Sequence, residues 1–329
     1  MHSFDDFHAA YLSILQDAYK DYDYVNKPRG NLSREKLGVS FVVRDPIQRQ
    51  VMSAARRANI VFNFAEALWY LSGSDLLEPI AHYAPSIRQY SADGVTLPGT
   101  AYGPRIMSVD ETGTTQWANV VAELRRDPDS KRAILQIFRN DEIGIPGNID
   151  VACTLALQFL VREGRLEAIG FMRANDAYRG LVSDYFSFTF IQEVLARELG
   201  VEVGAYHHHV GSLHIYEDDW PRAERVLSEP APAASVPRDR FPVMPAGDNW
   251  PHIHRVLALE AVLRRNEATR ADLGEALADL PEYWADVVAL FELQRQVTFE
   301  GRIRAESVSG LPPVYRWLVE QKWAARIVS

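Results

Sequence analysis

Apolar residues recur with two different periods along this chain, and the switches between them outline its elements. Phe7, Tyr11, Ile14 and Leu15 lie near helical spacing, which predicts a helix over residues 4–20. Residues 26–38 are polar and include Pro28, Gly30 and Gly38, so they read as a loop bearing Lys27, Arg29, Arg34 and Lys36. Residues 48–71 predict one long helix, closed by Gly73. Its second half, residues 60–71, is apolar nearly all round, as a helix buried on every side is, and Glu66 is its one charge. A buried carboxylate is costly unless it is partnered or protonated. Glu66 is therefore a candidate acid or base, against the plainer reading that it reaches the helix edge.

Period-two alternation predicts strands over residues 133–139, 153–161 and 165–172, with Gly164 in the turn between the last two. Residues 183–199 read as a helix stopped by Gly200, and residues 208–216 return to a strand pattern. A Pro- and Ala-rich stretch, residues 230–247, reads as a linker or long surface loop. Three more helices are predicted around residues 249–265, 281–298 and 313–326, and no repeat is apparent. The expected architecture is α+β in a single domain, residues 1–329. It comprises a sheet-centred core to about residue 227, a connection over 228–248 and a helical part over 249–329.

Composition narrows the function. The chain has 329 residues, of which 47% are apolar and 24% charged, as in an ordinary globular protein. A net charge of −9 argues against wholesale nucleic-acid binding, so any bound phosphate needs a local cluster of cations. No apolar run approaches the ~20 residues of a membrane span. The acidic start, Met1-His2-Ser3-Phe4-Asp5-Asp6, lacks a secretory apolar core, and one cysteine forms no internal disulfide, so the expected location is the cytoplasm.

That cysteine, Cys153, heads an apolar alternating run, and Arg173, Asp176, Gly180 and Asp184 follow it. A lone thiol ahead of an arginine and two acids suggests a nucleophile facing an anionic substrate, against the plainer reading of a buried structural cysteine.

Six motifs in order resemble the thymidylate synthase family over about residues 20–220. Glu66-Ala67-Leu68-Trp69-Tyr70-Leu71-Ser72-Gly73 resembles its Glu-Leu-Leu-Trp-Phe-Leu-x-Gly helix. Tyr102-Gly103-Pro104-Arg105 resembles Tyr-Gly-x-Gln-Trp-Arg, and Asp127-Pro128-Asp129-Ser130-Lys131-Arg132 resembles Asp-Pro-x-Ser-Arg-Arg. Ala152-Cys153-Thr154 stands for Pro-Cys-His, Arg173-Ala174-Asn175-Asp176 for Arg-Ser-x-Asp with its following glycine at Gly180, and Gly211-Ser212-Leu213-His214-Ile215-Tyr216 for Gly-Asp-x-His-Leu-Tyr. The resemblance implies the family's fold, a large twisted mixed sheet with surrounding helices, here with an extra helical C-terminal region.

The departures from the family pattern point to a branch within it. Where the family reads uracil with an Asn, this chain has Asp184. An amide both donates and accepts, whereas a carboxylate only accepts and so suits the exocyclic amino group of cytosine. The plainer reading is an Asp opening an apolar helix. This change resembles phage-type dCMP hydroxymethylases. Lys131 replaces an Arg and Ala174 a Ser, which removes a planar fork and a hydroxyl and suggests room for a ribose 2′-hydroxyl, hence CMP rather than dCMP. No Trp occurs at Ile87-Arg88-Gln89-Tyr90, where the family flanks its folate, and Ala325-Arg326-Ile327-Val328-Ser329 does not resemble the family's closing tail. A site open to water would hydrate the transferred carbon rather than receive hydride.

The resemblance then implies these roles. Cys153 adds to C6 of the pyrimidine, helped by Arg173, and C5 takes a one-carbon unit from the cosubstrate 5,10-methylenetetrahydrofolate. Tyr102 handles the C5 proton and Glu66 relays protons or positions water. Asp176 and Gly180 lie on the folate side, together with Glu66. His214 and Tyr216 contact the sugar. Arg173 and either Arg29 or Arg34 hold the phosphate, and Lys131 and Arg132 reach the phosphate of the other subunit in a homodimer packed sheet against sheet. The expected reaction is hydroxymethylation of CMP at C5, as in the CMP hydroxymethylase branch of mildiomycin-type antibiotic biosynthesis. The alternatives are a dCMP hydroxymethylase, a dUMP methylase, or a silent member that binds nucleotide or RNA. His207 and His209 share a strand face, yet no further ligand cluster accompanies them, so no metal is expected.

Overall fold

Glu163 and Gly164, both left-handed (φ 52° and 74°), reverse the chain between two long strands and start the sheet. In order, the strands are β1 (His2–Phe4), β2 (Tyr24–Asn26), β3 (Ser33–Val43), β4 (Ile134–Gln136), β5 (Thr154–Arg162), β6 (Arg165–Asp176) and β7 (Glu202–Tyr216). In this computed structural model, which describes residues 2–230, 236–237 and 239–328, they form one mixed sheet in the order β1-β3-β7-β6-β5-β4, with β2 paired to β3. β6 and β7 run parallel, while β5 and β3 flank them antiparallel. The parallel step needs a crossover, which helix α4 (Gly180–Leu199) supplies before Gly200 ends it in the left-handed conformation (φ 70°).

The other longer helices are α1 (Phe7–Tyr19), α2 (Ile60–Leu71), α3 (Gln116–Arg126), α5 (Trp250–Arg264), α6 (Glu282–Arg295) and α7 (Pro313–Trp323). One sheet face, including Leu166, Ala168 and Met172 of β6, is fully buried. The opposite face, with Ile169, Phe171, His207 and His209, stays half-buried. α2 and α4 cross in the core, where Phe64 meets Phe186 at 5.0 Å edge to face. The C-terminal helices cap this layer: Phe64 touches Tyr283 of α6 and Tyr315 of α7, and Phe190 touches Trp284.

Two expectations are corrected. The helix over residues 48–71 exists only as α2, capped by Asn59 Oδ1 accepting from Phe62 N–H at 3.3 Å. Residues 48–59 are irregular, partly buried chain because their partners lie elsewhere: Arg49 pairs with Glu193 of α4 at 2.5 Å, and Glu229 accepts from Ala54 and Ala55 N–H. The apolar spacing there reflects burial of a loop and not a helical face. The loop over residues 26–38 is mostly strand: only Pro28–Gly30 turns, and Ser33–Leu37 pair with Ser212–Tyr216 in β7. Cross-strand partners fix that segment despite its polarity. Smaller shifts occur elsewhere: α4 begins at Gly180 rather than 183, and β7 at Glu202 rather than 208. Of the Pro- and Ala-rich stretch, residues 231–235 and 238 lie outside the described residues, as do Met1 and Ser329 of the segments named above.

Candidate active site

The hairpin about Gly164 brings Cys153 opposite Arg173, whose backbone N–H donates to Cys153 O at 2.9 Å. The Arg173 guanidinium folds back over the thiol. Its Nε donates to Ala152 O at 2.8 Å, and Nη2 donates to Val151 O at 2.9 Å and lies 3.7 Å from Cys153 Sγ. Among the described residues Nη1 has no hydrogen-bond partner, and the side chain is exposed, so it is free for an anion. The Cys153 segment is anchored from below. Glu142, ion-paired with buried Arg105 at 2.7 Å, accepts from Ala152 N–H at 2.8 Å. Asp150 accepts from Gly99 N–H and from the Thr100 hydroxyl.

Burial pushes the Cys153 thiol up, Arg173 pulls it back, and Asp184 opposes that. The expected help from Arg173 is therefore present but outweighed: the resting group is a thiol, because desolvation of a thiolate exceeds the stabilisation one half-committed guanidinium offers.

Three more expected residues converge here. Tyr102 is buried, stacks on Tyr70 at 4.8 Å, and accepts a hydrogen bond from Thr154 Oγ1 at 3.1 Å, one residue after the thiol. Glu66 is buried on α2 and accepts from Ser187 Oγ at 3.2 Å. Burial, then the charge of Asp184, raises its carboxyl to about 8. Asp184, raised by burial to about 7, accepts from Asn175 Nδ2 at 2.8 Å. It lies in the second turn of α4 and does not cap it; the start is held by Asp176 Oδ1, which accepts from Tyr178 and Arg179 N–H at 2.8 and 2.7 Å. Burial raises Asp176 as well, and His214 lowers it.

Gly180 is explained by space. A Cβ there would sit 3.1 Å from Asp184 Oδ2 and 3.2 Å from Asn175 Nδ2. The glycine therefore makes room for the Asn175–Asp184 hydrogen bond.

The two loop arginines separate. Arg34 is spent on structure: it packs over Trp220 (4.1 Å), Tyr19 and Tyr22 and donates to Tyr19 O. Arg29 is exposed in a left-handed conformation (φ 51°) and lies within electrostatic reach of Cys153 and Tyr90. His214 and Tyr216 meet edge to face at 5.1 Å, with His214 in register with Asp176. Ala174 lies in register with Ser212. Lys131 and Arg132 are exposed on the turn before β4, and among the described residues no hydrogen bond or ion pair ties their side chains to Cys153, Arg173 or Arg29. Among those residues no group of three or more His, Cys, Asp or Glu is placed to hold a metal ion, and no helix is long and apolar enough to cross a membrane.

Sequence reasoning missed several members. Tyr90 lies within electrostatic reach of Arg179, Asp176, Arg29 and Tyr216, so an aromatic ring does occupy the stretch that lacks a Trp. Tyr70, which stacks on Tyr102, and Ser187, which donates to Glu66, are two more. Asn175, His208 and Tyr206 form a buried hydrogen-bonded row behind Asp184. Of these, His208 carries the sequence signal, since it stands where the family pattern often has a His without metal, whereas Asn175 fills the unspecified place in Arg-Ser-x-Asp.

Comparisons with known proteins give the family. The chain is 31% identical over 220 residues to the deoxyuridylate hydroxymethyltransferase of Bacillus phage SP01, covering 64% of this chain and 57% of that protein. It is 32% identical over 201 residues to the like-named protein of Pseudomonas phage M6, covering 60% of this chain and 54% of that one. The chain thus spans a little over half the length of these two relatives. It is 30% identical over 209 residues to the deoxycytidylate 5-hydroxymethyltransferase of Enterobacteria phage T4, covering 60% of this chain and 82% of that one. The fold is similar to that of thermostable thymidylate synthase A from Bacillus subtilis, with a TM-score of 0.57 at 18% identity over 70% of this chain and 86% of that chain. The family model described as thymidylate synthase matches residues 10–240, and the chain belongs to the thymidylate synthase family.

Proposed function

We propose that this chain is a pyrimidine nucleotide hydroxymethylase whose substrate is CMP, which it converts to 5-hydroxymethyl-CMP with 5,10-methylenetetrahydrofolate as cosubstrate. The observation that carries the reading is the half-buried Asp184 carboxyl, held by Asn175, at the position from which the family reads the base. Ionised, it accepts from a 4-amino group and offers nothing to a 4-carbonyl. The names of the phage relatives support the hydroxymethylase class.

In this reading Arg29 and the free Nη1 of Arg173 hold the phosphate, and the pyrimidine lies between Cys153 and Asp184. Cys153 Sγ bonds to C6 while a proton is delivered to the ring, and C5 becomes nucleophilic. The folate supplies a one-carbon unit at the oxidation level of formaldehyde. The residues present fit it: Tyr90 offers an aromatic face, and half-buried Asp176, whose Oδ1 is taken by backbone N–H groups, has a second oxygen for a donor on a pterin ring. Tyr102, hydrogen-bonded to Thr154 beside the thiol, is the residue this reading assigns to the C5 proton. Glu66, protonated at neutral pH, gives or takes a proton as water adds to the exocyclic carbon and the C6–S bond breaks.

Room for a ribose 2′-hydroxyl rests on Ala174 and Lys131. A role in nucleoside antibiotic biosynthesis and a cytoplasmic location belong to the same reading. So does a homodimer, in which the half-buried sheet face is covered and exposed Lys131 and Arg132 reach the phosphate of the other subunit. A second reading, action on deoxyuridylate, is favoured by one observation: Asp184 at about 7 is partly protonated, and a carboxylic acid can donate to a 4-carbonyl. Incubation with methylenetetrahydrofolate and equimolar CMP, dCMP, UMP and dUMP, followed by mass spectrometry, decides. A gain of about 30 Da on CMP, the mass of CH₂O, is expected. The same gain on dCMP alone removes the ribose argument, on dUMP alone the cytosine argument, and a gain of about 14 Da removes the hydroxymethylase class.

A further inference from the structure

Behind Asp184 a row of buried polar groups runs into the sheet. Asn175 Nδ2 donates to Asp184 Oδ2 at 2.8 Å, Asn175 Oδ1 lies 3.1 Å from His208 Nε2, and His208 Nδ1 lies 3.0 Å from the Tyr206 hydroxyl. Asn175, His208 and Tyr206 are all essentially inaccessible to solvent. We propose that Asn175, itself oriented by His208 and Tyr206, is the positioning residue that sets base choice: it engages Oδ2 of Asp184 as an acceptor and leaves Oδ1 to meet the group on C4 of the pyrimidine. The proposal rests on the reading of Asp184 as the base reader.

The direction of every bond in the row can be deduced. His208 is neutral, since burial pulls its pKa down to about 3, so one ring nitrogen carries hydrogen and the other accepts. The Tyr206 hydroxyl keeps its proton, its pKa being raised well above 10 by burial. Its one partner among the described residues is His208, and it sits so close to Gly170 that a Cβ there would lie 2.1 Å from the oxygen. Tyr206 therefore donates to Nδ1, Nε2–H donates to Asn175 Oδ1, and the Asn175 amide turns its NH₂ to Asp184. Reversing the row would strand the buried Tyr206 O–H with no acceptor, the situation native interiors avoid. An amide free to flip would offer Asp184 an acceptor and would force that carboxyl to hold its proton inward. With the flip forbidden, a proton on Asp184 resides on Oδ1, and its loss turns Oδ1 into a pure acceptor for an amino group. Gly180, with no Cβ to wedge the Asn175–Asp184 contact apart, serves the same end.

Other titratable groups bear on Asp184. Glu66 from α2, Asp176 before α4, Cys153 before β5, and Tyr70, Tyr102 and Tyr206 all feel its charge or impose theirs. Among the described residues Asn175 is the one hydrogen-bond donor to its carboxyl, and that donor lowers it.

The test compares Asn175→Leu, His208→Leu and His208→Gln with the unaltered protein. The Gln amide can still donate to Asn175 Oδ1; the Leu cannot. Two quantities are read: the ratio of kcat/KM for CMP over UMP across pH 5.5–8.5, and the titration of Asp184 followed by ¹³C-carboxyl NMR without nucleotide. In Asn175→Leu the ratio is expected to fall about tenfold or more, the scale of one lost bond to a charged acceptor. The acid limb of the CMP profile and the Asp184 titration are both expected to move to higher pH. His208→Leu should follow in part, and His208→Gln should restore the ratio. Folded variants whose ratio and Asp184 titration match the unaltered protein would overturn the proposal. If Asn175→Leu does not fold, the His208 pair decides alone. If the unaltered protein uses only uridylate, the cytosine reading fails by itself, and the Asp184 titration still decides whether Asn175 governs that carboxyl.

Discussion

Replacing Glu66 by Gln should make the protein more stable at neutral pH while stopping turnover. The folded carboxyl is raised from its ordinary value of 4.5 to about 8, first by burial and then by the charge of Asp184. Between those two values the folded protein keeps a proton that the unfolded chain has released. Stability is then greatest below pH 4.5 and falls as pH rises towards 8, by up to ~1.4 kcal/mol per pH unit for one proton. The accumulated loss is about 1 kcal/mol at pH 5 and about 3 kcal/mol at pH 7. Glutamine has the same shape, cannot ionise, and still presents an oxygen to the Ser187 hydroxyl that now donates to Glu66 Oε2 at 3.2 Å. It removes the slope without opening a cavity.

Urea unfolding of both proteins at pH 5, 6, 7 and 8 measures this. Asp184 contributes a similar slope of its own to both, so the difference between the curves isolates Glu66 to first order. That difference should widen in favour of Glu66→Gln by about 1 kcal/mol or slightly more per pH unit. A difference that stays flat with pH would mean that Glu66 is ionised in the folded state, and its assignment as a proton donor would fall with it. Loss of turnover alone would not rescue that assignment, since many roles for Glu66 predict it.

Cys153→Ser should abolish turnover while leaving CMP affinity, read by calorimetry, within about threefold, because Arg29 and Arg173 are untouched. Acid should destabilise the fold through His208: with its folded pKa pulled down to about 3, the unfolded chain takes up the proton first, so stability falls from about pH 6.5 downwards and reaches a loss of about 2 kcal/mol at pH 5. A His208→Gln variant should lack that limb in thermal melts. Gly99→Ala places a Cβ 1.9 Å from Asp150 O, beneath the segment that carries Cys153, and should cost about 3 kcal/mol or more in urea unfolding. The CMP-to-UMP preference should rise between pH 6 and 8 as Asp184 loses its proton near 7, and a preference flat across that range would count against ionised Asp184 as the reader.

What the sequence made legible follows from contact range. Cys153 and Arg173 flank the Gly164 turn at similar distances, so an antiparallel hairpin brings them close; its simple register would set Cys153 against Ala174, and the irregularity between Thr154 and Ala156 shifts it by one residue to Arg173. Glu66 stood out because a charge inside an all-apolar helix has no cheap explanation. The His208–Asn175 contact instead joins two parallel strands whose register is set by the packing of α4, a crossover of 20 residues. No local pattern encodes that offset. Arg29 and Arg34 look alike in sequence, and only the aromatic pocket of Tyr19, Tyr22 and Trp220 claims Arg34. The false helix over residues 48–59 has the same origin: its buried residues answer to Glu193 and Glu229, far along the chain.

The Glu66 and Asp184 carboxyls are best understood as a pair. Among the described residues each has one hydrogen-bonding partner of its own, Ser187 for Glu66 and Asn175 for Asp184, and the amide donor is the better match for a negative charge. Asp184 therefore ionises first, near 7, and its charge then helps hold the proton on Glu66 to about 8. Between those values the pair carries one proton, and it resides on Glu66. That is the state hydroxymethylation of a cytosine needs: a carboxylate to accept from the amino group and an acid to supply a proton as bonds to C6 form and break. Binding a 4-aminopyrimidine would deepen the division, because each N–H donated to Asp184 lowers it further while its charge goes on raising Glu66. A 4-carbonyl would push the other way, drawing a proton onto Asp184 and releasing Glu66 to ionise. Base choice and proton supply are thus one equilibrium, and changing Asn175 should disturb both together.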